Sequence, residues 1–229
     1  AMCWAYSGRC YLSSYLASRS ANEGNCAHSC RWEYRVLEER KRPGEYLPIV
    51  EGDGYTTVLS SKDLFMLDHI RALRDAGIDS LKIEGRMKSV YYAAVITRAY
   101  RHAIDEAAGL DVPDMGGYRD EVFKVSHREF STGFYFDDPN ALVPNESEYQ
   151  RSHIFLGTID SIAAPGLYGV NIKNQIVSDD TIEYIGPDIL FLKDTDFVLL
   201  DESFSPVKAA NHGHVHYIKT TQPLKIGYI

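Results

Sequence analysis

Four cysteines, Cys3, Cys10, Cys26 and Cys30, stand in the first thirty residues with the spacing Cys-x6-Cys-x15-Cys-x3-Cys, and the rest of the chain has none. Four thiols this close together can pair as two disulfides or ligate one metal centre. Disulfides serve oxidising compartments and small domains without a core. A chain of 229 residues with 45% hydrophobic side chains can bury a core without staples. Reduced thiols holding a metal are therefore the expectation, in a cytoplasmic protein. Zinc and iron–sulfur clusters both accept four cysteines. The irregular spacing lacks the paired Cys-x2-Cys knuckles of a zinc ribbon and favours a cluster, while zinc and unligated or redox-active thiols stay open.

A second group with chemistry lies in Ser80-Leu81-Lys82-Ile83-Glu84-Gly85-Arg86. Read as a strand, the alternation puts Leu81 and Ile83 on one face and Lys82 and Glu84 on the other. In a βα barrel the charged face points inward, and Arg86 follows the strand's C-terminal end, where such barrels keep their active sites. The competing reading is a Lys–Glu pair that only stabilises the barrel interior. Arg86 and Arg31 are the residues suited to a small carboxylate, because guanidinium pairs with carboxylate in bidentate fashion. His212, His214 and His216 alternate and would share one face of a strand. A surface or structural role is favoured for them over contact with a ligand or a metal, and His127 is read as structural. His-Glu-x-x-His, Gly-x-Ser-x-Gly and glycine-rich phosphate loops are absent.

The elements that must position these residues follow from pattern. Residues 43–54 read as loop and Tyr55–Leu59 as a strand. Ser61 is placed to cap a helix with Leu64, Leu67, Ile70 and Leu73 on one side, stopped by Gly77. Ser80–Glu84 reads as a second strand, and Val90–Ala107 as a helix ending at Gly109. Strand, helix, strand, helix is the rhythm of a parallel α/β layer. Two such units cannot close a sheet, so the chain is expected to begin inside a longer protein. Residues 113–150 read as a connector with a short element near Glu121–Val125. After His153 come five or six short strands, read as a small β-barrel. The expected fold is thus α/β plus all-β: the last βα units of a TIM-like barrel in residues 1–112, the connector 113–150, and a β-barrel domain in 151–229.

The net charge is −8. Residues 1–42 hold seven Arg or Lys against four Glu, a local balance of +3, which leaves −11 for the remainder. That excludes coating of nucleic acid through a broad basic face, but allows a local anion site near Arg9, Arg19, Arg31 and Arg35. No run of about eighteen apolar residues suggests a membrane span.

Ala1-Met2-Cys3-Trp4-Ala5-Tyr6-Ser7-Gly8-Arg9-Cys10, Asn25-Cys26-Ala27-His28-Ser29-Cys30-Arg31, Ser61-Lys62-Asp63-Leu64 and Leu81-Lys82-Ile83-Glu84-Gly85-Arg86-Met87-Lys88-Ser89 resemble motifs of peptidase family U32, the collagenase-like proteases. Ser126-His127-Arg128-Glu129 and Gly133-Phe134 are similar to its connector, and the tail from Arg151-Ser152-His153 to its C-terminal domain. The resemblance implies a TIM-like barrel before a β domain. It points to the branch that helps make 5-hydroxyuridine at the wobble position of tRNA with prephenate as a co-substrate. It further implies a four-iron four-sulfur cluster on Cys3, Cys10, Cys26 and Cys30, with tRNA as partner. The family's other inheritance is a metal-dependent or metal-stabilised peptidase. Without the first part of the barrel, these residues alone are expected to be inactive.

Overall fold

The computed structural model describes residues 12–29, 49–52, 55–58, 62–86, 88–133, 135–136 and 150–229. The chain is mixed α/β with a sheet-rich C-terminal part. It divides into two compact units, one from residues 1–68 and 127–150, the other from residues 69–126 and 151–229.

In the first unit, helix α1 (Leu12–Ala17) is followed by a 3-10 turn, Ala21–Glu23, closed by Gly24 at φ 75°, a left-handed position that glycine takes without strain. Strands β1 (Ile49–Gly52) and β2 (Tyr55–Val58) pair antiparallel, with Gly52 opposite Tyr55. The loop expected over 43–54 therefore contains a strand: Ile49 and Val50 gain ladder bonds from Val58 and Thr57 that local turn formers do not reveal. Strands β3 (Asp63–Leu64) and β4 (Phe130–Ser131) pair in parallel. Buried Asp63 supports them, its Oδ2 accepting the Arg128 N–H at 3.0 Å. The His127 ring stacks on Phe130 at 4.2 Å, and Phe65 packs on the same ring at 4.8 Å. His127 is buried and structural, as its sequence context suggested.

In the second unit, α2 (Ile70–Asp75) begins later than the apolar spacing implies, because Leu64 is spent in β3. The expected cap, Ser61, lies outside the described residues. Gly77, at φ 80°, follows the helix end as anticipated. Helix α3 (Val90–Ala107) matches its expected span, with Ser89 Oγ accepting the Tyr92 N–H at 3.2 Å as N-cap. It buries Val95, Ile96, Ala99 and Ala103. Helix α4 (Met115–Val122) is capped by Asp114, whose carboxylate accepts the Gly117 N–H at 3.0 Å. A side chain at Gly117 would push aside the Asp114 carboxylate that caps the helix and the Leu190 side chain.

The C-terminal strands are β5 (Gly157–Ala164), β6 (Leu167–Ile172), β7 (Ile176–Val177), β8 (Ile182–Gly186), β9 (Ile189–Asp194), β10 (Val198–Leu200), β11 (Ala209–Ala210) and β12 (His216–Lys219). Four form an antiparallel sheet in the order β10-β12-β6-β5, while β8 pairs with β9 and β7 with β11. Residues 227–229 join the pieces. Ile159 N–H donates to Tyr228 O at 2.9 Å on one side, and Ile185 and Ile229 exchange bonds of 2.7 and 3.0 Å on the other. Inward residues of alternating strands, including Ile159, Val170, Ile172, Ile182, Tyr184, Leu199 and Ile218, make the core. Ile176 and Leu199 are fully buried in it.

Candidate functional site

The described part of the cysteine segment is tied back onto α1. Ser13, fully buried, donates from Oγ to Arg19 O at 2.8 Å and accepts the Ala27 N–H at 2.9 Å. Arg19 grips Asn25 Oδ1 with Nε and Nη2 at 3.1 and 2.9 Å. These bonds hold the residues on both sides of half-buried Cys26, whose Sγ accepts the His28 N–H at 3.3 Å. His28 sits at φ 54°, and that left-handed backbone turns its N–H back to the sulfur. Hydrogen bonds to sulfur are one means by which proteins tune iron–sulfur centres. Cys26 thus fits a ligand role by its donor chemistry. Cys3, Cys10, Cys30 and Arg31 lie outside the described residues. Among those described, no group of three or more His, Cys, Asp or Glu is placed to hold a metal.

Lys82, Glu84 and Arg86 are all exposed, on a stretch that is not a strand. This corrects the expected strand Ser80–Glu84: no described neighbour offers its backbone a ladder, and alternation cannot make a strand without one. Glu84 Oε1 accepts the Arg86 N–H at 3.0 Å, and Glu84 O accepts the Tyr92 hydroxyl at 3.4 Å. The carboxylate therefore shapes the turn into α3. No described ion pair joins Lys82 to Glu84. Lys88 Nζ donates to Ser126 O at 2.7 Å, fixing the next turn.

The three alternating histidines do not share a strand. Gly213 takes φ 85°, so His212 and His214 lie exposed in a turn and only His216 enters β12. His216 is buried, and its Nδ1 has no hydrogen-bond partner.

One polar cluster among the described residues was not foreseen. Arg98, projecting from α3, donates through Nη1 to Gly186 O and Ile189 O, both at 2.7 Å, and through Nη2 to Leu190 O at 2.9 Å. Nη2 also pairs with Glu121 of α4, and the guanidinium lies 5.3 Å from the Tyr118 ring centre. One side chain therefore ties α3 and α4 to the β8–β9 turn. Burial pushes the Glu121 carboxyl up, and the Arg98 charge opposes that rise without cancelling it. Nearby, Glu183 accepts from Lys124 Nζ at 2.6 Å and lies 3.3 Å from His153 Nε2. Burial works against its ionisation, but Lys124 and His153 outweigh burial and hold it below the usual carboxylate range. Tyr91 stands beside Glu121 and Glu183, its phenol pushed up by burial first and then by their charges. The available sequence signal was the helical spacing of Tyr91, Val95, Arg98 and His102, which puts an arginine inside a packed stripe.

The two carboxylates have opposite pH signatures. Glu183, lowered on folding, adds stability that is present above the ordinary Glu pKa of about 4.3 and is lost as pH falls through its folded value. Glu121, raised, adds stability below that range and loses it as pH rises through its folded value. Glu183→Gln is expected to lower the urea midpoint at pH 7 while narrowing the gap to wild type at pH 3. An equal gap at both pH values would remove Glu183 from the acid response.

The family model of peptidase family U32 matches residues 1–144, and that of the peptidase family U32 C-terminal domain matches residues 151–229. The chain belongs to peptidase family U32. It is 32% identical over 229 aligned positions to tRNA hydroxylation protein P of Escherichia coli, an alignment covering 82% of this chain and 50% of that protein. It is 31% identical over 217 positions to tRNA hydroxylation protein P1 of Bacillus subtilis, covering 93% and 51%. Over 162 positions it is 40% identical to an uncharacterized protease of Methanocaldococcus jannaschii, covering 67% and 39%. The chain spans about half the length of the first two relatives. No described helix is long and apolar enough to cross a membrane.

Proposed function

We propose that this chain is part of an RNA-modifying enzyme that acts in 5-hydroxylation of the wobble uridine of tRNA. The observation that carries the reading is the similarity, over most of the chain, to several proteins named for tRNA hydroxylation. The reading assigns a four-iron four-sulfur cluster to Cys3, Cys10, Cys26 and Cys30, supported by the N–H that His28 offers to the Cys26 sulfur. Such a cluster would supply electron transfer or a Lewis-acid iron; the chain's own residues would bind and orient the partners. Exposed Arg86, with Arg31, would pair with the carboxylates of a small co-substrate such as prephenate, and Lys82 and Glu84 would flank it. In this reading residues 1–112 are the C-terminal part of a TIM-like barrel. Residues 113–150 serve as connector. Residues 151–229 form a small β-barrel, supported by the antiparallel sheet and by residues 227–229 linking β5 to β8. The enzyme works in the cytoplasm, where its tRNA substrate is.

The test is deletion of the gene followed by mass spectrometry of tRNA nucleosides. Loss of 5-hydroxyuridine and its derivatives, restored by a plasmid copy, is the expected result; unchanged tRNA would sink the reading. The peptidase alternative draws on the family name and on the protease relative. It predicts chelator-sensitive cleavage of gelatin with tRNA unaffected.

A further inference from the structure

The second unit holds a cleft of about 600 Å³ between the start of α3 and the β5, β6 and β8 strands. Its size falls within the range of small-ligand sites, about 300–1,000 Å³. Among the aromatic residues that line it are Tyr91, from the first turn of α3, and Phe155, from the segment before β5. Their rings are near-parallel, 12° apart, with centroids 6.5 Å apart. That is the wide end of aromatic pairing, about 4.5–7 Å, so the two rings together present a near-parallel aromatic surface at the border of the cleft.

The backbone beside both rings is held. Ser89 Oγ accepts the N–H of Tyr92, the residue after Tyr91. Phe155 is held through its carbonyl, which accepts Asn174 Nδ2 at 2.7 Å, and through Leu156 O, which accepts the Lys173 N–H at 2.7 Å. Beside the rings the wall carries the Glu183 carboxylate, His153, Thr181 and Lys193. These are hydrogen-bonding groups of both senses, suited to the edge of a heterocycle carrying ring N–H and C=O groups.

We propose that this cleft is a nucleobase site, in which one base of single-stranded RNA lies against Tyr91 and Phe155 while its edge is read by Glu183 and His153. Charge argues for base rather than backbone recognition. Residues 151–229 hold six Lys or Arg against nine Asp or Glu, so phosphate attraction contributes little and stacking with edge contacts must carry the affinity. The choice of RNA as the ligand's source rests on the function proposed above; the aromatic pair and its polar wall do not.

The experiment titrates the 229-residue chain with uridine, cytidine, adenosine and guanosine and with five-residue oligoribonucleotides of each base. Binding is followed by two-dimensional NMR and by fluorescence anisotropy. The expected result is saturable shifts at Tyr91, Phe155 and Glu183, an affinity that depends on base identity, and a salt slope equivalent to fewer than two phosphate contacts. Tyr91→Ala should weaken binding about tenfold or more, whereas Tyr91→Phe should keep it. Shifts confined to other surfaces, a Tyr91→Ala variant that is folded and binds normally, or saturation of the cleft by gelatin-derived peptides but by no nucleoside would each overturn the proposal. The wild-type shift map decides the matter even if Tyr91→Ala does not fold. Wobble hydroxylation lost in the deletion strain together with a cleft that ignores nucleosides would remove the site and leave the enzyme reading standing.

Discussion

Replacing Arg98 with methionine is expected to destabilise the second unit by about 3–5 kcal/mol, a drop of roughly ten degrees in melting temperature for a chain of this size. The size of the effect follows from what the guanidinium leaves behind. Glu121, whose side chain is 3% exposed, would remain buried with only the weaker field of Lys124 opposing its charge, and the carbonyls of Gly186, Ile189 and Leu190 would lose their donor together. Removing one partner of a buried pair is far more costly than removing both, because the survivor carries the whole desolvation penalty. The double variant Arg98→Met/Glu121→Leu should therefore recover part of the loss, even though three carbonyls stay unsatisfied. Urea unfolding of wild type, both single variants and the double variant measures the coupling. A single-variant cost under about 1 kcal/mol would show the clamp to be solvated and dispensable.

Cys26→Ser, introduced into the chromosomal gene, should abolish 5-hydroxyuridine in tRNA and empty the purified protein of iron and acid-labile sulfide. Serine keeps the volume and can still accept the His28 N–H, but it replaces a soft thiolate with an alkoxide-forming ligand that iron–sulfur clusters rarely accept. Ala27, Ser13 and Arg19 hold the surrounding backbone by bonds that do not involve the sulfur, so the segment should fold around the change. Metal and sulfide analysis on anaerobically purified protein, with visible absorption near 400 nm, is the measurement. Stoichiometric zinc without colour in the wild type would replace the cluster by a structural site. Full hydroxylation in the Cys26→Ser strain would remove Cys26 from the reaction.

What the sequence disclosed and what it hid divide along a physical line. Helix α3 was legible to its ends because its signals are local: Ser89 caps it and Gly109, at φ 86°, stops it. The strands β5, β6, β8, β10 and β12 were legible within a few residues, since alternation and turn spacing are also local. Ser80–Glu84 misled because alternation records which faces a strand would have, not whether a partner is there to make it one. The histidines misled for a related reason: Gly213 interrupts the repeat, and only a positive φ in the structure reveals it. Strand β9 was missed although it forms a local hairpin with β8, and the Arg98 clamp was hidden because the carbonyls it holds lie 88 to 92 positions away. For the candidate metal centre, cysteine identity and spacing supplied the idea, and the N–H···S bond at Cys26 is what three-dimensional structure adds.

The bonds made by residues 227–229 carry a consequence for how the protein is made. Strand β5 ends at Ala164 and β8 at Gly186, yet the backbone that joins them, residues 227–229, follows about sixty and forty residues later. A ribosome therefore releases β5 and β8 with open edges, and the nascent sheet must wait for Tyr228 and Ile229 before those edges are covered. Unpaired edges invite pairing with other chains, and contacts so distant in sequence slow closure. Removal of residues 227–229 would take away these bonds and leave backbone groups of β5 and β8 exposed for pairing with other chains.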